Sequence, residues 1–427
     1  MEWPCNVKGS IRIDVESVSE NSKQISTKTL FCARKGEGKN GMHFIREAIA
    51  NGAVCIAVED ERYFDSYDEE VPIIWVPNIL KFIAYAAATF SGHPSEVMTV
   101  IAVTGTNGKT TTTHFIHQLL QRFQKQSLLI GTNGVFLGTE KLAVNEDSLT
   151  TMRPIPFQQL LSRSLEEGIE YIVLEASSQG LASYRLDYTN IDIGVFLNLG
   201  EDHIEAHGSV ERYKQAKMRL IDLSDMIIVN GQDPFCRSVG IISKKPSLQF
   251  NLMPKTDIFY EKLLEREGFS NYFVQFQQTE SIITFPFTAD FLIENAMAAV
   301  SVCLQIGLSL QQIAKYTLEL TLPEGRMQTY YTQKGVKVII DYAHTADALE
   351  ALLKAVSNSL AGELHLVFSC GGNRDKMKRV KMGAVASKYA DYVYLTTDNC
   401  RNENPIDINL EIIEGFHSNQ RYEMLLD

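Results

Sequence analysis

No apolar run in this 427-residue chain approaches the roughly 20 residues of a membrane span; the longest lies around Phe82–Phe90. The opening residues, Met-Glu-Trp-Pro-Cys-Asn-Val-Lys, hold no apolar core, so no signal peptide is expected. CxxC pairs are missing. The seven cysteines (Cys5, Cys32, Cys55, Cys236, Cys303, Cys370, Cys400) are scattered and odd in number, which fits reduced thiols in a cytoplasmic protein. Positive charge is in short supply: 40 Lys+Arg face 52 Asp+Glu, a net charge of −12. That balance argues against non-specific nucleic-acid binding, which needs a basic face, but leaves room for a locally basic pocket and an anionic small molecule. Internal repeats and low-complexity tracts are also lacking.

Apolar residues make up 45% and charged residues 22%, the composition of a globular protein. The length predicts two to three domains. Residues 1–96 read as short strands with a helix near His43–Asn51 ending at Gly52, a strand at Val54–Val58 and a helix near Ile79–Phe90. From residue 97 strands alternate with helices. Met98–Val103, Leu128–Ile130, Tyr171–Leu174, Gly194–Leu197 and Met226–Val229 read as strands. Ile155–Leu165 and Val210–Leu220 read as helices between them. This alternation predicts a parallel sheet with crossover helices. Residues 271–287 read as antiparallel strands, followed by helices near Ile293–Ile306 and Leu310–Leu318. A smaller α/β unit is expected from Gly325, with strands at Val336–Ile340, Leu364–Phe368 and Tyr392–Leu395 and helices at Ala346–Val356 and Val380–Ala390.

The strongest local signal is an apolar strand running through Thr104-Gly105-Thr106-Asn107-Gly108-Lys109-Thr110-Thr111 into a helix. Glycines let backbone N–H groups turn toward an anion, the helix N-terminus adds its dipole, and Lys109 adds charge. Thr110 is placed to ligate Mg²⁺. The strict phosphate-loop pattern wants Gly where Val103 stands, so this is a variant loop. It predicts nucleoside triphosphate binding, not a reaction.

Further motifs follow. Leu174-Glu175-Ala-Ser-Ser178 puts Glu175 at a strand end on the sheet edge where open α/β sheets bind ligands; it reads equally as a Mg²⁺ ligand or a solvated cap. Asn198-Leu-Gly-Glu-Asp202-His203 is followed by His207. Two histidines four apart suit zinc, but HExxH is missing, and a single metal- or substrate-contacting His203 is the stronger reading. Lys217 in Tyr213-Lys-Gln-Ala-Lys217 lies on a charged helix and by itself reads as a solvated surface lysine. Asp341-Tyr-Ala-His-Thr345, Cys370-Gly-Gly-Asn-Arg-Asp375-Lys376 and Asp398-Asn-Cys-Arg401 complete the set.

In this order the pieces resemble the Mur ligase family over essentially the whole chain, and within it the ligases that add the third amino acid to UDP-N-acetylmuramoyl-dipeptide. Thr29-Leu-Phe-Cys-Ala-Arg-Lys-Gly36 with His43–Ala48, the loop Thr104–Thr111, and Asp341–Thr345 with Gly371–Arg379 carry the likeness. It implies an α/β protein of three domains: 1–96 binding the UDP-substrate, 97–324 binding ATP on a central parallel sheet, and 325–427 binding the amino acid. An ordinary phosphate-loop kinase or GTPase does not account for the later blocks.

The resemblance implies ATP-dependent, ADP-forming amide synthesis in peptidoglycan synthesis, through an acyl phosphate. ATP and Mg²⁺ are the implied cofactors. Gly105 to Thr111 would cradle ATP, with Lys109 on its phosphates. Thr110 and Glu175 would hold one Mg²⁺, and His203 with a carbamylated Lys217 a second. Asn295, Arg326, Asp341 and His344 would surround the nucleotide. Thr150, Thr151, Ser177 and Arg185 would contact the muramoyl-peptide, and Ser22 the uridine. Asp398, Asn399 and Arg401 stand where such enzymes read the amino acid; an Arg favours meso-diaminopimelate over lysine. A cytoplasmic monomer, with no nucleic acid and no membrane insertion, is expected.

The sequence departs from the family at Asn21-Ser22-Lys23, Met152, Gln179, Ala346 and Cys400. It also reads as shortened beyond Arg401, without the family's Gly-Lys-Gly-His-Glu segment. Two other readings remain: a Mur-like ligase for a carboxylate outside peptidoglycan, and a homologue with impaired catalysis.

Overall fold

The computed structural model describes residues 3–10, 12–36, 38–68, 70–142, 149–202, 204–266, 268–358 and 360–426. Its N-terminal part is a five-stranded sheet of β1 (Asn6–Lys8), β2 (Ser17–Ser19), β3 (Thr29–Cys32), β4 (Ala53–Val58) and β5 (Ile73–Trp75), ordered β1-β5-β4-β3-β2. Only β1 pairs antiparallel. The central β4 is almost wholly apolar, as a strand covered on both faces must be. Its alternate residues enter two cores. Cys55 and Ala57 meet Ile79, Phe82, Ile83 and Ala86 of the Ile79–Phe90 helix. Ile56 and Val58 meet Ile45 and Ala48 of the Ile45–Ala50 helix.

Eleven strands form the central sheet: β6 (Thr99–Thr104), β7 (Ser127–Gly131), β8 (Gly134–Leu137), β9 (Glu140–Lys141), β10 (Tyr171–Glu175), β11 (Ile191–Phe196), β12 (Ser224–Asn230), β13 (Ser247–Asn251), β14 (Ile258–Arg266), β15 (Phe269–Phe276) and β16 (Thr279–Phe285). Their order is β16-β15-β14-β13-β12-β11-β6-β10-β7-β8-β9. β7 and β10 run parallel, as do β12, β13 and β14. The antiparallel strands expected over residues 271–287 are β15 and β16, and β14, which was not expected, completes the meander.

By compactness the chain divides into two units. One comprises Met1–Ala102, Gln126–Asp192 and Asp222–Asp225; the other comprises Val103–Lys125, Ile193–Ile221 and Met226–Asp427. In the first unit the Ile79–Phe90 helix packs on the Pro154–Glu166 helix. In the second, the Lys109–Arg122 helix packs on the Asp290–Gln305 helix. The alanines and other small side chains of the latter allow close approach. Phe115 and Phe287 stack at 5.3 Å between centroids.

Two expectations are corrected near the C-terminus. The helix expected over Leu310–Leu318 is one capped turn, Leu310–Ile313, followed by a 3₁₀ turn, Thr317–Glu319. The strand expected at Val336–Ile340 does not join the smaller α/β sheet. It forms β18 (Lys337–Ile340), antiparallel to β17 (Gln328–Tyr331) in a separate hairpin, because both segments are exposed and pair only with each other. The smaller sheet is β19 (His365–Phe368), β20 (Tyr392–Leu395) and β21 (Arg421–Met424), all parallel. The helices Ala346–Ser357, Lys376–Tyr389 and Pro405–Ile413 bury Leu349, Leu353, Met382, Ala386, Ile408 and Ile412 against Val393 and Leu395. No helix of the described residues is long and apolar enough to cross a membrane.

Candidate active site

The loop between β6 and the Lys109–Arg122 helix is fixed by a neighbouring asparagine. Asn198 accepts the Asn107 N–H at Oδ1 (2.9 Å), returns a bond from Nδ2 to the Asn107 carbonyl (3.2 Å), and accepts the Thr106 N–H at its own carbonyl (3.1 Å). Gly108 has φ +86°, and a Cβ there would overlap the Asn295 side-chain oxygen. Only glycine permits both the left-handed turn and the approach of Asn295. Thr110, Thr111, Thr112 and Thr113 are all buried in the first turn. Helix propensity disfavours such a run; the packing of this helix overrides it.

Lys109 Nζ donates to the carbonyls of Gly105 (2.9 Å) and Thr106 (3.1 Å), folding back on its own loop. It is not the only cation there. Arg326 Nη2 donates to Thr110 Oγ1 at 3.3 Å while its guanidinium lies 4.5 Å over the Tyr342 ring. Beneath the loop, His114 Nδ1 meets the Thr110 carbonyl at 2.8 Å. Burial lowers the His114 pKa to about 4, so the neutral ring donates from Nδ1.

Asp341 accepts N–H bonds from Met327 and Ala343, both at 2.8 Å, and so shapes the backbone beside Arg326; burial still pushes its carboxyl upward. His344 Nε2 reaches the buried Asp202 at 3.3 Å, and Lys378 Nζ reaches it at 3.1 Å. Glu201 also pairs with Lys381, and Glu205 with Arg374. Glu201, Asp202 and Glu205 are thus each paired with a basic side chain from Arg374, Lys378 or Lys381.

Lys217 is not the surface lysine that its charged helix suggested. It is 1% exposed on the Val210–Leu223 helix. Burial, with the charge of Lys109, drives its pKa well below the usual lysine range, in the direction of the neutral amine. His203 lies outside the described residues. Among the described residues no group of three or more His, Cys, Asp or Glu is placed to hold a metal ion.

In the first unit, Glu175 is likewise no solvated cap: it is 1% exposed at the end of β10. Its carboxylate accepts the Thr132 N–H at 2.8 Å, and Thr132 Oγ1 lies 3.1 Å from both Glu175 Oε2 and Thr150 Oγ1. Thr151 Oγ1 donates to the Glu175 carbonyl at 2.8 Å and accepts the Ser177 N–H at 2.9 Å; Arg185 Nη1 donates to the Thr151 carbonyl at 2.8 Å. Thr150, Thr151, Ser177, Arg185 and Glu175 are therefore one hydrogen-bonded group. Ser22 stands apart, its hydroxyl donated to Glu47 Oε2 at 2.6 Å.

At the carboxyl end of β20, Asp398 and Arg401 are exposed. Asn399 accepts the Gly372 N–H at its carbonyl (2.9 Å), and Arg401 donates through Nη1 to the Gly372 carbonyl. A Cβ at Gly372 would overlap the Cys400 carbonyl, so glycine is what lets the two loops touch. Arg379 anchors them from below. It is 1% exposed and donates to Glu403, Glu411 and the Gly371 carbonyl.

Sequence reasoning had not assigned Asn198, Thr132, Asp202 or Lys378. Asn198 and Asp202 stood in a motif already singled out, and Thr132 follows a strand end within Gly-Thr-Asn-Gly. Nothing in the sequence marked Lys378 as the partner of Asp202.

A parallel sheet, a phosphate loop at a strand end and a lysine on that loop define a nucleotide-binding α/β protein. Sequence profiles then make this specific. The Mur ligase family catalytic domain matches residues 14–91, the Mur ligase middle domain residues 103–303, and the Mur ligase glutamate ligase domain residues 325–426. The chain belongs to the Mur ligase family. It is 32% identical to UDP-N-acetylmuramoyl-L-alanyl-D-glutamate–2,6-diaminopimelate ligase 2 of Clostridium acetobutylicum, over 99% of this chain and 87% of that one. The corresponding ligase of Clostridioides difficile is 34% identical, with the same coverage. A solved structure of a UDP-N-acetylmuramoyl-L-alanyl-D-glutamate–2,6-diaminopimelate ligase superposes with a TM-score of 0.71 at 28% identity, covering 97% of this chain and 85% of that one.

Proposed function

We propose that this protein joins an amino acid, meso-diaminopimelate, to the peptide carboxylate of UDP-N-acetylmuramoyl-L-alanyl-D-glutamate, with ATP converted to ADP and phosphate, in peptidoglycan synthesis. The observation that carries this is the Asn198-clamped phosphate loop with Lys109 and Arg326, in a chain about one-third identical over nearly its whole length to ligases of that name. In this reading the domains divide near residues 96 and 324, and the chain acts as a cytoplasmic monomer.

A carboxylate resists attack by an amine until one oxygen is made a leaving group. Here the substrate carboxylate attacks the γ-phosphorus of ATP and ADP departs. The amine then attacks the acyl carbon, and phosphate leaves with the former carboxylate oxygen. The protein's work is positioning and charge stabilisation. Lys109 swings from its own loop carbonyls onto the phosphates, and Arg326 offers a second cation at the same helix end. Asn295 contacts the nucleotide, with Asp341 near the ribose and His344 close by. Thr150, Thr151, Ser177 and Arg185 hold the peptide part, and Ser22 lies toward the uridine.

In this reading Thr110, Glu175, His203 and Lys217 would hold Mg²⁺, a hydroxyl and a carboxylate being oxygen donors of the kind the ion takes. An ammonium at Lys217 would repel a metal. Its depressed pKa lies in the direction of the free amine, which is the form that takes up CO₂ to become an anionic carbamate. Bound Mg²⁺ would neutralise phosphate charge.

Asp398, Asn399 and Arg401 read the acceptor. Meso-diaminopimelate carries a distal carboxylate that lysine lacks. One Arg401 donor is already spent on Gly372 and the side chain is exposed, so the preference should be about 1–2 kcal/mol, roughly tenfold in selectivity. The test is ADP release with UDP-N-acetylmuramoyl-dipeptide and each amino acid in turn. Meso-diaminopimelate should exceed lysine, and Arg401→Ala should erase the difference without weakening ATP binding. Equal use of both amino acids by the unaltered chain would remove Arg401 from this role. No ADP release with either would overturn the proposed reaction.

A further inference from the structure

Tyr213 lies on the Val210–Leu223 helix, one turn before Lys217, and is 1% exposed. Its hydroxyl is 2.8 Å from Thr106 Oγ1 in the phosphate loop. Thr106 Oγ1 also accepts the Gly200 N–H at 2.8 Å and lies 3.3 Å from the Gly200 carbonyl. A threonine hydroxyl offers one proton and two lone pairs. With the proton on the Gly200 carbonyl, the lone pairs serve the Gly200 N–H and the Tyr213 O–H. Every group at this buried junction is then satisfied, and Tyr213 is the donor. Burial pushes its phenol pKa further up, so the donor proton stays in place.

The ring of the same residue makes the other contacts. Lys217 Nζ sits 4.8 Å from the Tyr213 ring centroid, and the His207 ring lies 5.3 Å away. Residues four apart on a helix share a face, so the tyrosine and Lys217 project together. Among the described residues, no carboxylate or carbonyl pairs with the Lys217 amine. The Tyr213 ring is one of the surfaces packed against it.

We propose that Tyr213 is a positioning residue for the ligase reaction: its hydroxyl ties the Thr106 end of the phosphate loop to the helix whose next turn presents Lys217. The inference rests on the proposed function, because it gives Lys217 and the loop a shared task. Without the bond, Thr106 keeps its Gly200 contacts but loses this tie to that helix. The ring contact alone does not set the loop.

Tyr213→Phe keeps the ring and removes the hydroxyl. The lost bond should cost about tenfold in kcat/KM for ATP, the worth of one buried hydrogen bond. The loss should appear as a raised KM and a lowered kcat, while the folded fraction at assay temperature, read by circular dichroism, stays complete. Thr106→Val removes the same bond from the other side. The double variant should fall no further than Thr106→Val alone, the mark of one shared interaction. Adenosine diphosphate affinity, measured by calorimetry, should fall several-fold in Tyr213→Phe, whichever acceptor the enzyme uses. Wild-type kinetic constants and wild-type ADP affinity in folded Tyr213→Phe would overturn the proposal, as would losses that multiply in the double variant. If the unaltered chain turns over no acceptor, the proposed reaction fails; the calorimetric comparison still decides the role of Tyr213 at the loop.

Discussion

Lys217 is buried, Lys109 is half-buried, and the charge of Lys109 bears on Lys217, yet the two lysines are asked to do opposite things. Lys109 meets phosphate as an ammonium, and at rest its charge is spent on two loop carbonyls. Lys109→Ala should lower turnover by two to three orders of magnitude, the cost of deleting one aimed cation or donor. Arg326 at the same helix end should leave a residual rate. Near-normal ADP release from Lys109→Ala would sink the phosphate-loop assignment. Lys217 serves in the proposal only after it gives up its charge. Lys217→Ala should be nearly inactive, and short carboxylic acids should restore part of the rate by replacing the lost anion. ¹³C NMR under labelled CO₂ should show a carbamate in the wild type and none in the variant. Full activity in Lys217→Ala would return it to a packing role. Lys109 was legible because glycine spacing and a following helix announce a phosphate loop. The burial of Lys217 was not, because its own helix is charged and the cover comes from elsewhere in the chain. Asp202 and Lys378 are 176 positions apart, a distance over which one sequence offers no pairing signal.

Among the elements, the Asp290–Gln305 helix carries the strongest pH signature. Glu294 accepts a hydrogen bond from Asn230 Nδ2 at 3.2 Å, and burial raises its pKa to about 7, with Asp290 and Asp233 adding like charge. The folded state therefore holds a proton that the unfolded chain has released above about pH 4.5. Stability from this group is complete at acid pH and is lost as pH rises through about 7. Chemical denaturation should show the unfolding free energy falling by on the order of 1–3 kcal/mol between pH 5 and 8. Glu294→Gln should flatten that slope; an unchanged slope would place the titration elsewhere. Element reading from sequence succeeded where burial and period agreed. The Ile79–Phe90 helix was placed to the residue, and β7 and β10 to within one. It failed at Leu310–Leu318, where the capped turn stops after four residues, and at Val336–Ile340, where an apolar strand pairs locally and stays exposed.

For the molecule as a whole, the alternation of strand and helix was enough to forecast a parallel central sheet, and a resemblance spread over the whole chain was enough to forecast the family. The strand order was not legible, because β6 lies between β11 and β10 and no local pattern fixes such neighbours. Nor was the wiring of the site, in which Asn198 clamps the loop and Arg379 anchors the Gly371–Gly372 turn. The central claim is that a carboxylate oxygen becomes a leaving group on phosphate. It is tested by supplying UDP-N-acetylmuramoyl-dipeptide with ¹⁸O in its carboxylate, with ATP and meso-diaminopimelate, and analysing the products by mass spectrometry. The account predicts one ¹⁸O in each inorganic phosphate released and none in the nucleotide. Label in AMP, or phosphate released without label while amide forms, would contradict it.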